Sequence, residues 1–96
     1  MFEEHRIEPR ERLAVPLQIG GRQQGMTRDI SATGLYFEID QAQQLGALLD
    51  LQIDLEAADT PLRLVAQGRI VRIEHKGGRT GVAVRLLDAR LEAATP

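Results

Sequence analysis

Apolar residues fall at every second position through most of this chain, in short runs separated by Gly, Pro and Asp, and no stretch keeps a helical period for long. Leu13, Val15, Leu17 and Ile19 alternate with Ala14, Pro16 and Gln18 up to Gly20-Gly21. Leu49, Leu51, Ile53 and Leu55 alternate as cleanly with Asp50, Gln52, Asp54 and Glu56. A period of two places every apolar side chain on one face of an extended segment, so each run buries one side and leaves the other to water. Pro16 has no N–H to give a sheet, which suggests an edge position or a bulge in the first run.

The remaining runs follow the same rule. A weakly patterned strand is expected from about Arg22 through Ile30, then a turn over Ser31 to Gly34, then Leu35-Tyr36-Phe37-Glu38-Ile39. Tyr36 and Phe37 must point to opposite faces. After the break at Asp59-Thr60-Pro61, Leu62, Leu64 and Ala66 alternate until Gly68, where the pattern slips and resumes with Ile70, Val71 and Ile73; a bulge at Gly68 would account for it. Lys76-Gly77-Gly78-Arg79 has the centre of a tight hairpin, with Val82, Val84 and Leu86 on its far side.

Six short strands with regular turn signals predict an all-β fold, a six-stranded antiparallel β-barrel whose closure removes exposed edges. Residues 1–12 are polar and carry Pro9, which disfavours a helix through Glu8, and are expected to form a flexible N-terminal arm ahead of a barrel domain over 13–96. The tail Leu87-Asp88-Ala89-Arg90-Leu91-Glu92-Ala93-Ala94 is rich in helix formers and predicts a short C-terminal helix packed on the barrel.

Composition excludes several functions. A formal charge of −2 is wrong for a protein whose main partner is a nucleic-acid backbone, and three aromatics cannot build a base-stacking platform, so no DNA or RNA partner is expected. No apolar run approaches the roughly 20 residues of a membrane helix, and the acidic start Met1-Phe2-Glu3-Glu4 is unlike a secretory signal. With no cysteine as well, the expected setting is cytoplasmic, without membrane insertion. The sole serine and two distant histidines offer neither a nucleophile with its base nor a metal-ligand spacing. The sequence therefore predicts no enzyme, no metal and no cofactor.

Two constellations remain. Asp29-Ile30-Ser31-Ala32-Thr33-Gly34 places a carboxylate, a hydroxyl and a glycine at the tip of one turn. Given six Asp, one Ser and nine Gly, this spacing should arise by chance roughly 0.006 times in such a chain. Arg6 and Arg10 form Arg-x-x-x-Arg on the arm, a pattern that eleven arginines would produce about once by chance. Arg12 is offset from that spacing and reads as a surface charge of the first strand.

Taken together these residues resemble the PilZ domain, a bacterial family of six-stranded barrels that bind cyclic di-GMP. Arg6 and Arg10, followed by Leu13, Val15, Pro16 and Leu17, are similar to its first motif; Asp29, Ser31 and Gly34 match its Asp-x-Ser-x-x-Gly motif. Gly68-Arg69-Ile70-Val71-Arg72 and Gly81-Val82-Ala83-Val84 are similar to its last two strands and come in the same order. The residue before the first arginine is His5, where many relatives carry another basic residue, and in the family that position influences whether one or two ligands bind.

The resemblance implies a cyclic di-GMP-binding site at Arg6, Arg10, Asp29, Ser31 and Gly34. Guanine presents O6 and N7 to a guanidinium fork, and its N1–H and amino group suit the Asp29 carboxylate. Ser31 could donate to a phosphate or reinforce the turn, and Gly34 could supply a positive φ or a close approach. The implied role is a stand-alone receptor that passes the signal to an unidentified downstream protein in motility, biofilm or polysaccharide control; a homodimer is compatible with the sequence. The competing reading is a barrel of the same fold that acts as a protein-interaction adaptor without nucleotide. For the motif itself, the competing reading is an ordinary Asx or Ser turn.

Overall fold

In a computed structural model of the chain, residues 11–12, 14–57 and 59–93 are described. Among these residues seven strands form one sheet: β1 (Glu11–Arg12), β2 (Pro16–Ile19), β3 (Gln23–Ile30), β4 (Gly34–Ile39), β5 (Leu48–Ala57), β6 (Thr60–Lys76) and β7 (Arg79–Ala93). Every pairing is antiparallel. The order β3-β2-β5-β6-β7-β4 returns to β3 through the β3–β4 pairing, so six strands close a barrel and the two-residue β1 adds to the flank of β3.

Closure buries the alternating apolar set. Phe37, Leu17, Ile53, Ile70 and Val82 are almost wholly excluded from water, with Ile19, Leu35, Ile39, Leu51 and Val84 beside them. Phe37 is thus the core member of its aromatic pair, and Tyr36 lies on the outer face. The weak pattern of β3 has a cause here: its inward positions are Gly25 and Thr27. A Cβ at Gly25 would stand 2.8 Å from the Glu38 carbonyl oxygen, too close for any side chain without movement.

Turn chemistry sets the connections. Gly77 and Gly78 (φ 52° and 87°) take the left-handed conformations that a two-residue hairpin needs between Lys76 and Arg79, and Gly20 and Gly21 (φ 59° and 75°) turn the chain within the three-residue loop between Ile19 and Gln23. Pro16 opens β2, where only β3 pairs with it, since β5 pairs from Leu17 onward. The bulge expected at Gly68 is not there: β6 carries its extra residue at Val71, between Ile70 facing Val84 and Arg72 facing Ala83. Beside Gly68 the extra residue lies on the opposite strand, where Gln67 faces Asp88 and Gly68 faces Leu86, which leaves Leu87 bulged on β7.

The tail corrects the sequence reading. Residues 87–93 are strand, not helix, and Asp88 through Ala93 pair with Leu62 through Gln67 of β6. An eight-residue helix gains little alone, whereas β6 is 17 residues long and offers a ready ladder of backbone donors and acceptors. β4 accompanies β7 only from Thr80 to Arg85, so the end of β5, the start of β6 and about half of β7 project beyond the barrel as a three-stranded flap.

Candidate ligand-binding site

The motif turn sits at one end of the barrel, joining β3 to β4. Its position depends on a bulge at Arg28. Thr27 pairs with Phe37 and faces the core, while Asp29 pairs with Tyr36, leaving Arg28 as the extra residue. Without that extra residue Asp29 would face Leu35 and turn inward; with it, Asp29 shares the outer face with Tyr36 and Ile30 turns in beside Leu35. Asp29 is half-buried.

The turn is tied internally and to its neighbours. The Ser31 amide donates to the Gly34 carbonyl (2.9 Å), and the Gly34 amide donates back to the Ser31 hydroxyl (3.2 Å). The hydroxyl's own proton makes only a long contact with the Gly34 carbonyl, at 3.5 Å. A hydroxyl has one donor and two acceptor sites, so Ser31 can hold the turn through its oxygen and still redirect its proton. The Leu86 amide donates to the Thr33 carbonyl (2.9 Å), which fixes the tip of the turn to β7.

Gly34 does not adopt positive φ. It serves instead as a point of close approach: a Cβ there would lie 3.3 Å from the Val84 carbonyl oxygen. Of the five residues singled out in the sequence, the structure brings Asp29, Ser31 and Gly34 together in one turn. Arg6 and Arg10 lie outside the described residues, as does most of the 1–12 arm. The described end of that segment is β1, where Glu11 pairs with Ile30 and Arg12 with Asp29.

Sheet register adds neighbours that the sequence does not reveal. Across the outer face run Asp29, Tyr36, Ala83 and Arg72 on successive strands, and beside them Gly34, Arg85 and Arg69. Arg85 is exposed and has no ion-pair partner among the described residues. Tyr36 leans over Gly81, where any Cβ would collide with its ring, and donates its hydroxyl to Glu74 Oε1 at 3.0 Å. Lys76 Nζ stands 5.7 Å from the ring centroid. Burial and the acceptor Glu74 push the Tyr36 phenol above its ordinary range, while the hydrogen bond from Tyr36 and that from Arg72 hold Glu74 below the usual carboxylate range.

Among the described residues there is no cluster of metal-ligating side chains, and no helix long and apolar enough to cross a membrane. The PilZ domain model matches residues 3–95, nearly the whole chain and both motifs. The chain belongs to the PilZ-domain family. PilZ domains are binding and adaptor domains, and cyclic di-GMP receptors are among them. The structure is similar to that of the Bacillus subtilis inhibitor of motility (MotI/DgrA), with a TM-score of 0.79 and 17% identity over 92% of this chain. This PilZ chain spans 45% of that protein's length, and at such identity the likeness is one of fold. No curated protein sequence matches it.

Proposed function

We propose that this PilZ domain binds cyclic di-GMP on the outer face of its barrel and relays the signal to a protein partner. Arg6 and Arg10 of the arm would grip guanine or phosphate, the Asp29 carboxylate would accept from the guanine N1–H and amino group, and the Ser31–Gly34 turn would meet the phosphate. One observation carries the reading. β1 pairs Glu11 with Ile30 and Arg12 with Asp29, so the stretch that directly follows the Arg-x-x-x-Arg motif in sequence lies on the strand that leads into the Asp-x-Ser-x-x-Gly turn.

Arg85 supports the same location, since a guanidinium that has no ion pair among the described residues and lies opposite Gly34 suits a ligand with two phosphates. The binding of ligand would order the arm against β3 and change the surface offered to a partner, a cytoplasmic switch acting in motility, biofilm or polysaccharide control. Ser31 within its turn also fits a purely structural motif, the arrangement a ligand-free adaptor would have.

Calorimetric titration with cyclic di-GMP, with GMP and cyclic di-AMP as controls, decides between these. The receptor reading expects selective binding that Arg10→Ala and Asp29→Ala each weaken about 10- to 100-fold, from loss of charge-assisted bonds worth roughly 1.5–3 kcal/mol. Arg63→Ala should leave it unchanged, because Arg63 pairs with Asp54 at 2.9 Å on the flap. No heat at high micromolar ligand would favour the ligand-free adaptor.

A further inference from the structure

The outer edge of β7 beyond the barrel is an unfinished sheet. β4 pairs with β7 only as far as Arg85, and the Leu86 amide is taken by Thr33; no described residue pairs with the outer edge of 87–93. Alternate residues of such an edge direct N–H and C=O groups outward, a template for another strand. The segment Leu87-Asp88-Ala89-Arg90-Leu91-Glu92-Ala93 holds neither Pro nor Lys, and its charges Asp88, Arg90 and Glu92 are of mixed sign, so they bar like edges in some registers and join them in others. Leu87 and Leu91 on it are 51% and 59% exposed.

We infer that this edge pairs with the same edge of a second copy of the chain, antiparallel about a twofold axis at Leu91. The segment's own charges select that occupant and register. Pairing with Ala66 and Leu64 puts Ala89 and Leu91 on the core-facing side, while Asp88, Arg90 and Glu92 lie on the opposite side. Centring on Leu91 sets Leu91 against Leu91, Ala89 against Ala93, and Arg90 against Glu92 of the second copy, with the reciprocal pair generated by symmetry.

Other registers are worse. Centring on Arg90 opposes Arg90 to itself and Asp88 to Glu92, both repulsive. Centring on Ala89 joins Asp88 to Arg90 but sets Leu91 against Leu87, the bulged residue that breaks the ladder. In the Leu91 register Arg90 and Glu92, already bonded within each chain at 2.8 Å, join into an alternating array of four charges. The apolar flaps of both copies then form one continuous face, with Leu91 covered at its centre.

Sedimentation equilibrium of the full chain tests this. The wild type should show a concentration-dependent species of twice the 10.6 kDa chain mass. Arg90→Glu and Glu92→Arg should each weaken self-association roughly 10- to 100-fold, since attraction becomes repulsion at both ends. An equimolar mixture of the two variants should restore the dimer as a heterodimer. That result cannot come from misfolding, because both variants lack the same internal pair. A wild type that stays monomeric up to its solubility limit overturns the proposal; protection from hydrogen exchange of those alternate amides of 87–93 that point away from β6 would, in such a monomer, assign the edge to another segment of the same chain. Variants that associate as the wild type does would overturn it as well.

Discussion

Thr27 and Tyr36 carry local roles that residue type alone does not announce. Thr27 is fully buried, and its hydroxyl accepts from the Val15 amide and donates to the Val15 carbonyl, both at 3.0 Å. The Val15 carbonyl also accepts from the Thr27 amide at 2.9 Å, so between β1 and β2 it is the Val15 N–H whose partner is the hydroxyl. Thr27→Val keeps the shape but orphans the Val15 N–H, and should cost about 1–3 kcal/mol in urea unfolding. Tyr36 is the only tyrosine and there is no tryptophan, so phenolate absorbance reports this one side chain. Its titration midpoint should lie above the ordinary 10.0, and Glu74→Gln, which removes the negative acceptor, should bring it down toward that value. A raised phenol contributes stability that is complete below pH 10 and is lost as pH rises through the raised value. For Glu74, held below 4.5, the sign is opposite: its contribution is present above that value and fades as pH falls through the lowered one. Asp29, Ser31 and Gly34 are legible in the sequence because they are contiguous. Tyr36 and Arg85 are not, because only strand register brings them beside that turn.

At the scale of elements, alternation and glycine pairs located the six strands, and the failures have a physical cause. In the tail, Ala89, Leu91 and Ala93 alternate with Asp88, Arg90 and Glu92, a period of two that was open to inspection. Helix propensity for Ala, Leu, Arg and Glu masks it, yet that preference is worth only tenths of a kcal/mol per residue and yields to a full ladder with β6. Bulges are harder to place, since each depends on which of two facing strands takes the extra residue. Gly68 illustrates this. A Cβ there would overlap the Val84 side chain and stand 3.0 Å from the Arg85 carbonyl oxygen, so the glycine admits β7 closely while the extra residue is Leu87. Gly68→Ala should therefore overpack the barrel where β6 begins to leave it, lowering stability by about 1–3 kcal/mol, measurable as a lower denaturation midpoint with unchanged m value. An unchanged midpoint would show that β7 can shift away at no cost.

For the molecule as a whole, closure makes the barrel one cooperative unit, because each strand is held on both sides and nearly all its apolar set meets at one core. Phe37, without exposure, sits at the centre of that core and on the strand that completes the ring through β3 and β7. Phe37→Ala should remove about 3–5 kcal/mol, a large share of the roughly 5–15 kcal/mol that holds a domain of this size. Thermal unfolding should then begin near ambient temperature instead of showing a sharp transition. The same variant tests the proposed ligand site from a distance. A ligand that binds only the folded barrel stabilises it by about 2.7 kcal/mol at one hundred times its Kd, enough to offset much of the lost core. Cyclic di-GMP should accordingly restore a cooperative transition to Phe37→Ala and fail to do so when Asp29→Ala is added. Phe37 is buried inside the wall and Asp29 lies on its outer face, so the two changes touch different sides of the sheet. Rescue that survives loss of Asp29 would place the ligand elsewhere on the barrel, and absence of rescue in both chains would point to an adaptor that folds and acts without nucleotide.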